Sequence, residues 1–251
     1  MPPLFSIITV AYNASATIGR TLRSVGEQTF RQFEYIIIDG ASTDGTADMA
    51  RSASIANTAV FSSPDDGIYD AMNKGLGRAE GDYVIFLNAG DAFHSPDTLQ
   101  HIADAIMSND FPGIAYGQTD IVDIDGNRLG PRHLSAPKTL TLDSFKQGML
   151  VCHQAFVALR KITQPFDLRY RFSADYDWCI RCLQHSKRNV YIPETLIDYL
   201  NEGTTTRNRG RSLRERFSIM CQYYGALPTI ARHFKFIPRF IRANISRKRQ
   251  R

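Results

Sequence analysis

Apolar positions near the start of this chain form short runs, separated by segments in which they recur at helical spacing. Phe5-Ser-Ile-Ile-Thr-Val-Ala11 is rich in β-branched residues and bounded by Asn13, so it reads as a buried strand. Ser15 is the expected N-cap of a helix in which Ile18, Leu22 and Val25 repeat at helical intervals. Phe33 to Asp39 forms a second strand, followed by a turn and a helix from about Asp44. Ala59 to Phe61 is a short third strand, Gly67 to Arg78 a helix, and Asp82 to Leu87 a fourth strand. Apolar strands separated by helices predict a mostly parallel α/β sheet covered on both faces.

The second half is less regular. Thr119 to Leu129 suggests a hairpin around Asp125-Gly126, and Ala155 to Leu159 a strand. Ala174 to Gln184 predicts a helix, and Val190 to Leu200 an extended segment. No internal repeat or low-complexity linker marks a second independent domain. A chain of 251 residues with 43% hydrophobic and 22% charged side chains suits a single globular α/β domain rather than disorder. The start Met1-Pro-Pro-Leu-Phe5 lacks the basic region and cleavage site of a signal peptide. No apolar stretch approaches the roughly 20 residues that span a bilayer, and a cytosolic location is expected. Cys152, Cys179, Cys182 and Cys221 offer no second Cys pair or His pair for zinc, so reduced, partly buried thiols are expected.

Charge divides the chain. Of 30 Lys/Arg and 25 Asp/Glu, 13 and one (Glu215) lie from Arg207 onward, so that tail carries +12 and the preceding 206 residues carry −7. An acidic body with a basic tail predicts an anionic partner for the tail: a membrane surface, a nucleic acid or another protein.

Ligands of parallel sheets bind beyond the carboxyl ends of the strands, near a switch in strand order. Polar residues concentrate there: Tyr12 and Asn13 after the first strand, Asp39 closing the second, Asp65 to Gly67 after the third, and Asn88 to Asp91 after the fourth. No Gly-x-Gly-x-x-Gly follows the first strand and no P-loop occurs, which disfavours dinucleotide and P-loop sites. Carboxylates in this crevice would repel a phosphate unless a divalent cation lay between them. Asp91 offers the hard oxygen that suits Mg²⁺ or Mn²⁺, and Asp39 is placed to accept a base N–H.

Ser6-Ile-Ile-Thr-Val-Ala-Tyr-Asn13, Ile38-Asp-Gly-Ala-Ser-Thr-Asp-Gly-Thr46, Pro64-Asp-Asp-Gly-Ile-Tyr-Asp-Ala-Met-Asn-Lys-Gly75 and Phe86-Leu-Asn-Ala-Gly-Asp91 occur in that order. Cys152-His-Gln154, Ala174-Asp-Tyr-Asp-Trp178 and Gly203-Thr-Thr-Thr206 follow. This ordered set resembles family 2 glycosyltransferases of the GT-A fold, most closely bacterial colanic-acid and capsule-type members, over about residues 4 to 206. The resemblance implies a GT-A (Rossmann-like) domain over 1–206, with a nucleotide-sugar half (1–110) and an acceptor half (111–206). A basic helical extension, 207–251, follows.

Site roles follow from the same resemblance. Thr9, Ala11, Tyr12 and Asn13 would cradle the nucleotide, largely through the backbone. Asp39 would bind the base, Ser42 and Asp44 would shape that loop, and Asp65 would contact the base region. Gly67 would allow close approach or simply make a tight turn, while Asp70, Asn73 and Lys74 open the next helix near the donor. Asn88 would lie beside the donor, and Asp91 would coordinate the cation held by the donor diphosphate. Asn88 and Gly90 stand where the family often has Asp, which leaves Asp91 as the sole clear metal carboxylate of that loop.

Asp175 would be the general base of an inverting displacement, or the cap of the helix that follows; Asp177 is the weaker candidate. His153 and Gln154 would lie on the acceptor side, and Trp178 would stack on a sugar or enter the core. The implied partners are a nucleotide-sugar donor, UDP-linked first, and a saccharide or polyprenyl-linked acceptor, with no nucleic acid.

In the tail, Ile230, Phe234, Ile237, Ile241 and Ile245 recur at steps of three or four, opposite Arg232, Lys235, Arg239 and Arg242. That is a basic amphipathic surface helix, which Pro238 breaks or kinks. It would attach the enzyme to the anionic inner face of a membrane, or pack its apolar side on the catalytic domain. Two rival functions are a sugar-nucleotide nucleotidyltransferase and a non-catalytic membrane or nucleic-acid adaptor. The first opens with a Gly-rich, Arg-containing loop that Ala11-Tyr-Asn-Ala-Ser15 lacks. The second has no need of four polar strand ends, and no nucleic-acid-binding motif is present.

Overall fold

A computed structural model describes residues 2–201 and 209–233. Its first half comprises β1 (Phe5–Ala11), α1 (Ile18–Gly26), β2 (Phe33–Asp39), α2 (Thr46–Ser52), β3 (Thr58–Ser62), α3 (Ile68–Leu76), β4 (Tyr83–Phe86), β5 (Ala92–Phe93) and α4 (Thr98–Ser108). The second half adds β6 (Ile114–Val122), β7 (Arg128–Pro131), β8 (Phe156–Leu159), α5 (Ala174–His185), β9 (Asn189–Leu200) and α6 (Arg209–Tyr224). Residues 226–233 are helical as well.

Among the described residues the strands form one sheet in the order β3-β2-β1-β4-β8-β6-β9-β5, with β7 paired to β6. β1 to β4 are mutually parallel, with Ala11 opposite Asp39 and Ile8 opposite Phe86. β8 then runs antiparallel to both β4 and β6, and β9 lies parallel to β6. The sheet is therefore parallel in its N-terminal half and mixed beyond it.

Side chains alternate across the pleat, so each strand feeds two cores. Ile8, Val10, Ile36, Ile38, Val84 and Phe86 join the cluster beneath α3 and α5, while Phe5, Ile7, Tyr35, Ile37, Tyr83 and Ile85 join the one beneath α1 and α4. At Gly75 a Cβ would collide with the Ile8 side chain, so glycine lets α3 settle directly on β1. Trp178 belongs to the first core: it is fully buried and stacks on Phe166 with ring centres 5.2 Å apart, which excludes it as a sugar platform.

Several local expectations change. β3 is the edge of the sheet, with Ala59 and Phe61 exposed, rather than a buried strand. Ser15 does not cap α1, which begins at Ile18 after Thr17 with no side-chain cap; its N–H instead donates to Asp44 Oδ2 at 2.9 Å. The hairpin forms where expected but extends two residues further, pairing Asp120 with Pro131 around a turn over residues 123–127 with Gly126 at φ 89°. Cys152, Cys179 and Cys182 are buried free thiols, as expected.

Packing also crosses the boundary drawn between residues 206 and 207. Ile219 and Met220 of α6 lie in the same cluster as Trp178 and Cys179 of α5. Glu215 accepts the backbone N–H groups of Arg171 and Phe172 at 2.9 and 2.8 Å, and the Ser212 and Ser173 hydroxyls meet at 3.0 Å. α6 thus belongs to the body that holds the start of α5. The Gly203–Thr206 phrase, Arg207 and the tail residues Phe234, Lys235, Ile237, Pro238, Arg239, Ile241, Arg242 and Ile245 lie outside the described residues. Within them no helix is long and apolar enough to cross a membrane.

Candidate active site

β1 has β2 on one side and β4 on the other, so the chain reverses its direction of winding there and opens a crevice beyond the strand ends. The loops after β1 and β2 are joined across it. Asn13, at φ 47°, donates its N–H to Ser42 Oγ at 2.8 Å and accepts the Thr43 N–H on Oδ1 at 3.0 Å. The Ala14 N–H donates to Thr46 Oγ1 at 2.8 Å. Asp44 accepts the Thr46 hydroxyl and the Ser15 N–H, and these hydrogen bonds hold its carboxyl below the usual range. Tyr12 projects from this platform, 67% exposed.

Asp39 sits at the base of the crevice, fully buried. Its Oδ2 accepts the Ser62 hydroxyl at 2.6 Å and the Ser42 N–H at 3.0 Å, but Oδ1 has no partner among the described residues. A buried acceptor left without a donor costs on the order of 1–3 kcal/mol, so its position demands an explanation. Asp65 accepts Gly67 N–H at 2.9 Å, and Gly67 enters α3 at φ 111°, a conformation that favours glycine.

Other expected contacts are spent inside the protein. Thr9 is fully buried in mid-strand, where its hydroxyl donates to Leu87 O at 2.6 Å and lies 2.9 Å from Tyr35 Oη. The Ala11 carbonyl accepts Gly40 N–H at 2.9 Å. Asn73 uses both ends of its amide on the Phe166 backbone, at 3.0 and 2.7 Å, which ties α3 to the segment before α5. Lys74 pairs with Asp70 at 2.9 Å and donates to Pro64 O at 2.8 Å.

The residues expected on the acceptor side meet the end of β4. His153 and Gln154 occupy a short 3-10 turn, residues His153–Ala155, and both are buried. His153 Nδ1 lies 3.3 Å from Asp175 Oδ2, and its Nε2 lies 3.5 Å from Asn88 Nδ2. Asp175 Oδ1 also accepts Tyr69 Oη at 3.1 Å and Tyr176 N–H at 2.9 Å. Burial pushes the Asp175 carboxyl up, but the hydrogen bond and charge of His153, the Arg216 charge and the Tyr69 hydroxyl outweigh it, so the carboxyl lies below its ordinary range. Asp177 points elsewhere, to Arg181 at 2.7 Å and Tyr223 Oη at 2.8 Å.

Asp91 does not have the surroundings of a metal ligand. It is 4% exposed, with Oδ1 accepting Leu200 N–H at 3.0 Å and Oδ2 accepting Gln154 Nε2 at 2.7 Å. Burial raises its carboxyl to about 6 against those two hydrogen bonds. A divalent cation prefers several ionised oxygens, and this loop offers one carboxylate whose oxygens both already face N–H donors. Among the described residues the acidic group whose atoms approach one another closely enough for an ion is His94, Asp120 and Asp198. His94 follows β5 while Asp120 lies on β6 and Asp198 on β9, and Arg128 and Arg20 already balance the two carboxylates.

Three contributors escaped sequence reasoning: Tyr69, which contacts Asp175; Arg216, whose charge reaches Asp175; and Glu215. Tyr69 lay inside one of the matched phrases, but nothing in its position along the chain pointed to a residue 106 places away.

Comparisons with known proteins show the family and the fold. The family model described as Glycosyl transferase family 2 matches residues 6–163. A PGL/p-HBAD biosynthesis glycosyltransferase of Mycobacterium tuberculosis is 33% identical over 206 residues, covering 80% of this chain and 77% of that protein. The amylovoran biosynthesis glycosyltransferase AmsB of Erwinia amylovora is 30% identical over 212 residues, covering 78% and 69%. Among solved structures, S. aureus TarS 1-349 in complex with UDP-GlcNAc superposes with a TM-score of 0.71 at 19% identity, over 94% of this chain and 73% of that one. The mannosyltransferase PcManGT of Pyrobaculum calidifontis, with GDP-Man and Mn²⁺, gives 0.63 at 16% identity, over 88% and 65%. At those identities the structural likeness shows the GT-A fold alone.

Proposed function

The chain belongs to glycosyl transferase family 2, and we propose that it transfers a sugar, with inversion, from a UDP-sugar to a saccharide or polyprenyl-linked saccharide acceptor. One observation carries the donor half of this reading: the unpartnered Asp39 Oδ1 at the base of a crevice beside Tyr12. A nucleobase N–H is the donor that this oxygen lacks, and Tyr12 offers a ring on which the base stacks. Asn13, Ser42 and Asp65 line the same crevice from three strand ends. Asn73 and Thr9 serve as internal ties that hold this wall, while Lys74 closes its far side.

The reacting centre lies where Asn88, His153 and Asp175 converge. Direct attack of the acceptor oxygen on the anomeric carbon, from the face opposite the leaving diphosphate, needs no protein nucleophile and inverts that carbon. The Asp175–His153 pair supplies the acceptor proton's destination. Asp91, satisfied by Gln154 and Leu200, braces the loop that carries Asn88, and no step is assigned to a cation there. A relative named for amylovoran biosynthesis and a neighbour solved with UDP-GlcNAc support a role in cell-surface polysaccharide synthesis. The protein would act in the cytoplasm, its basic segment from Arg207 onward facing an anionic membrane that presents the acceptor.

The test is release of nucleoside diphosphate from a panel of sugar nucleotides, with and without Mn²⁺, together with NMR of the product anomer. A β-configured product from an α-linked donor is expected. Retention, or no turnover of any sugar nucleotide, rejects the proposal.

A further inference from the structure

We propose that Tyr69 is a positioning residue for the reaction: its hydroxyl fixes Asp175 Oδ1, so that Oδ2 is the oxygen presented to the acceptor hydroxyl. This rests on the glycosyl-transfer reading above, with Asp175 as the general base.

The two oxygens of this carboxyl are not equivalent. Oδ1 accepts Tyr69 Oη at 3.1 Å and Tyr176 N–H at 2.9 Å, which occupies both of its lone pairs. Among the described residues Oδ2 meets one donor, His153 Nδ1 at 3.3 Å, and keeps an acceptor position open. The Tyr176 N–H belongs to the helix that carries Asp175 and moves with it. Tyr69 stands instead on α3, which opens from the crevice at Gly67, just after Asp65. The phenol thus ties the base to the half of the sheet that holds Asp39 and Tyr12.

The ring is held for this task. It is 8% exposed and stacks on Phe166, with centres 5.6 Å apart, and Phe166 stacks in turn on Trp178. One turn further along α3, the Asn73 amide grips the Phe166 backbone at both ends. Burial and the Asp175 charge push the phenol well above its ordinary value, so it remains a donor. Core packing accounts for the ring, and phenylalanine would serve it equally. A hydroxyl on that ring, aimed at the base, is what packing leaves unexplained.

As the acceptor oxygen bonds to the anomeric carbon, its proton passes to Asp175 Oδ2. The bond from that carbon to the phosphate oxygen breaks, and its electron pair leaves with the nucleoside diphosphate. The carboxyl then returns the proton to solvent. Without the phenol it is free to turn about its Cβ–Cγ bond, and Oδ2 loses its aim.

The experiment uses the full chain and measures nucleoside diphosphate release with donor and acceptor present. Tyr69→Phe keeps the ring and its stack and removes only the oxygen. Its kcat should fall about 10- to 100-fold, the scale of a misplacement near 1 Å, with donor KM within about twofold of wild type. Loss of a donor to the ionised carboxyl should also move the acid limb of the kcat profile to higher pH, His153 and Arg216 being the other charged groups that face Asp175. In an Asp175→Asn background the same change should cost less than about twofold, because Tyr69 acts through that carboxyl. Tyr69→Met, which refills the stack without a donor, covers the case in which Tyr69→Phe fails to fold, and should show the same drop in kcat. A folded variant with kcat within about twofold of wild type overturns the assignment, as does an unmoved acid limb. So does full activity in Asp175→Asn, or a larger loss on adding Tyr69→Phe to it. Wild type that releases nothing from any sugar nucleotide overturns the glycosyl-transfer reading, and the Tyr69 assignment falls with it.

Discussion

Gln154 and Asp91 are joined by a 2.7 Å hydrogen bond from Nε2 to Oδ2, and the second Asp91 oxygen takes Leu200 N–H at 3.0 Å. Three elements distant in sequence therefore meet on one buried carboxyl: the loop after β4, the turn before β8, and the end of β9. The residue that the motif marked as a cation ligand acts as a bolt.

That bolt makes stability depend on pH. Burial raises the Asp91 carboxyl from an ordinary value of 3.8 to about 6, so the folded chain holds this proton more tightly than the unfolded chain does. Its contribution is full below about pH 4 and is lost as pH rises through 6, a difference on the order of 3 kcal/mol. Thermal melting from pH 4 to 6.5 should show wild type losing stability across that window. Asp91→Asn should flatten this part of the curve, and an unchanged slope would count against the assignment.

Asp39→Ala removes the unpartnered buried Oδ1 at the base of the crevice. A hydrogen bond to a charged group contributes about 1.5–3 kcal/mol, so UDP affinity should fall roughly 10- to 100-fold by titration calorimetry. Phe61→Ala, on the exposed edge strand, provides the control that should bind UDP as wild type does.

Asn73→Ala separates an internal tie from a donor contact. Both bonds to the Phe166 backbone are lost, and melting should report destabilisation of about 1–3 kcal/mol. UDP affinity of the folded variant should stay within about twofold; a tenfold loss would return Asn73 to the donor.

Glu215→Ala should affect chemistry more than donor binding. Its two oxygens hold the backbone just ahead of Ser173, two residues before Asp175. Loss of these bonds should lower kcat severalfold and stability by about 1–2 kcal/mol while leaving UDP affinity unchanged. A chain ending at residue 208, which lacks α6 altogether, should melt lower still.

The strands of the donor half were legible because β-branched runs buried on both faces leave a one-dimensional trace, as in Phe5–Ala11 and Phe33–Asp39. Ala59 to Phe61 gave the same trace, yet lies at an edge, since an apolar run does not say how many neighbours a strand has. Tyr12, Asn13 and Asp39 were legible because turn-forming polar residues stand out at strand ends. Thr9 was expected to act largely through its backbone; that its hydroxyl is taken up by Tyr35 and Leu87 is something spacing cannot reveal. The partners of Asp91 were equally hidden: a carboxylate's surroundings are set by the fold, and Gln154 lies 63 residues on. The contribution of α6 was hidden by its basic composition, which drew attention to membranes rather than to Ile219 and Met220.

The cross-links between the loops after β1 and β2 have a thermodynamic consequence. Asn13, Ala14 and Ser15 are tied to Ser42, Thr43, Thr46 and Asp44 before any nucleotide arrives. Fixing one residue's backbone costs roughly 1–2 kcal/mol, and here folding has already met that cost for the segment on which the base will lie. A nucleotide docking there, as proposed, should therefore bind with little loss of chain entropy.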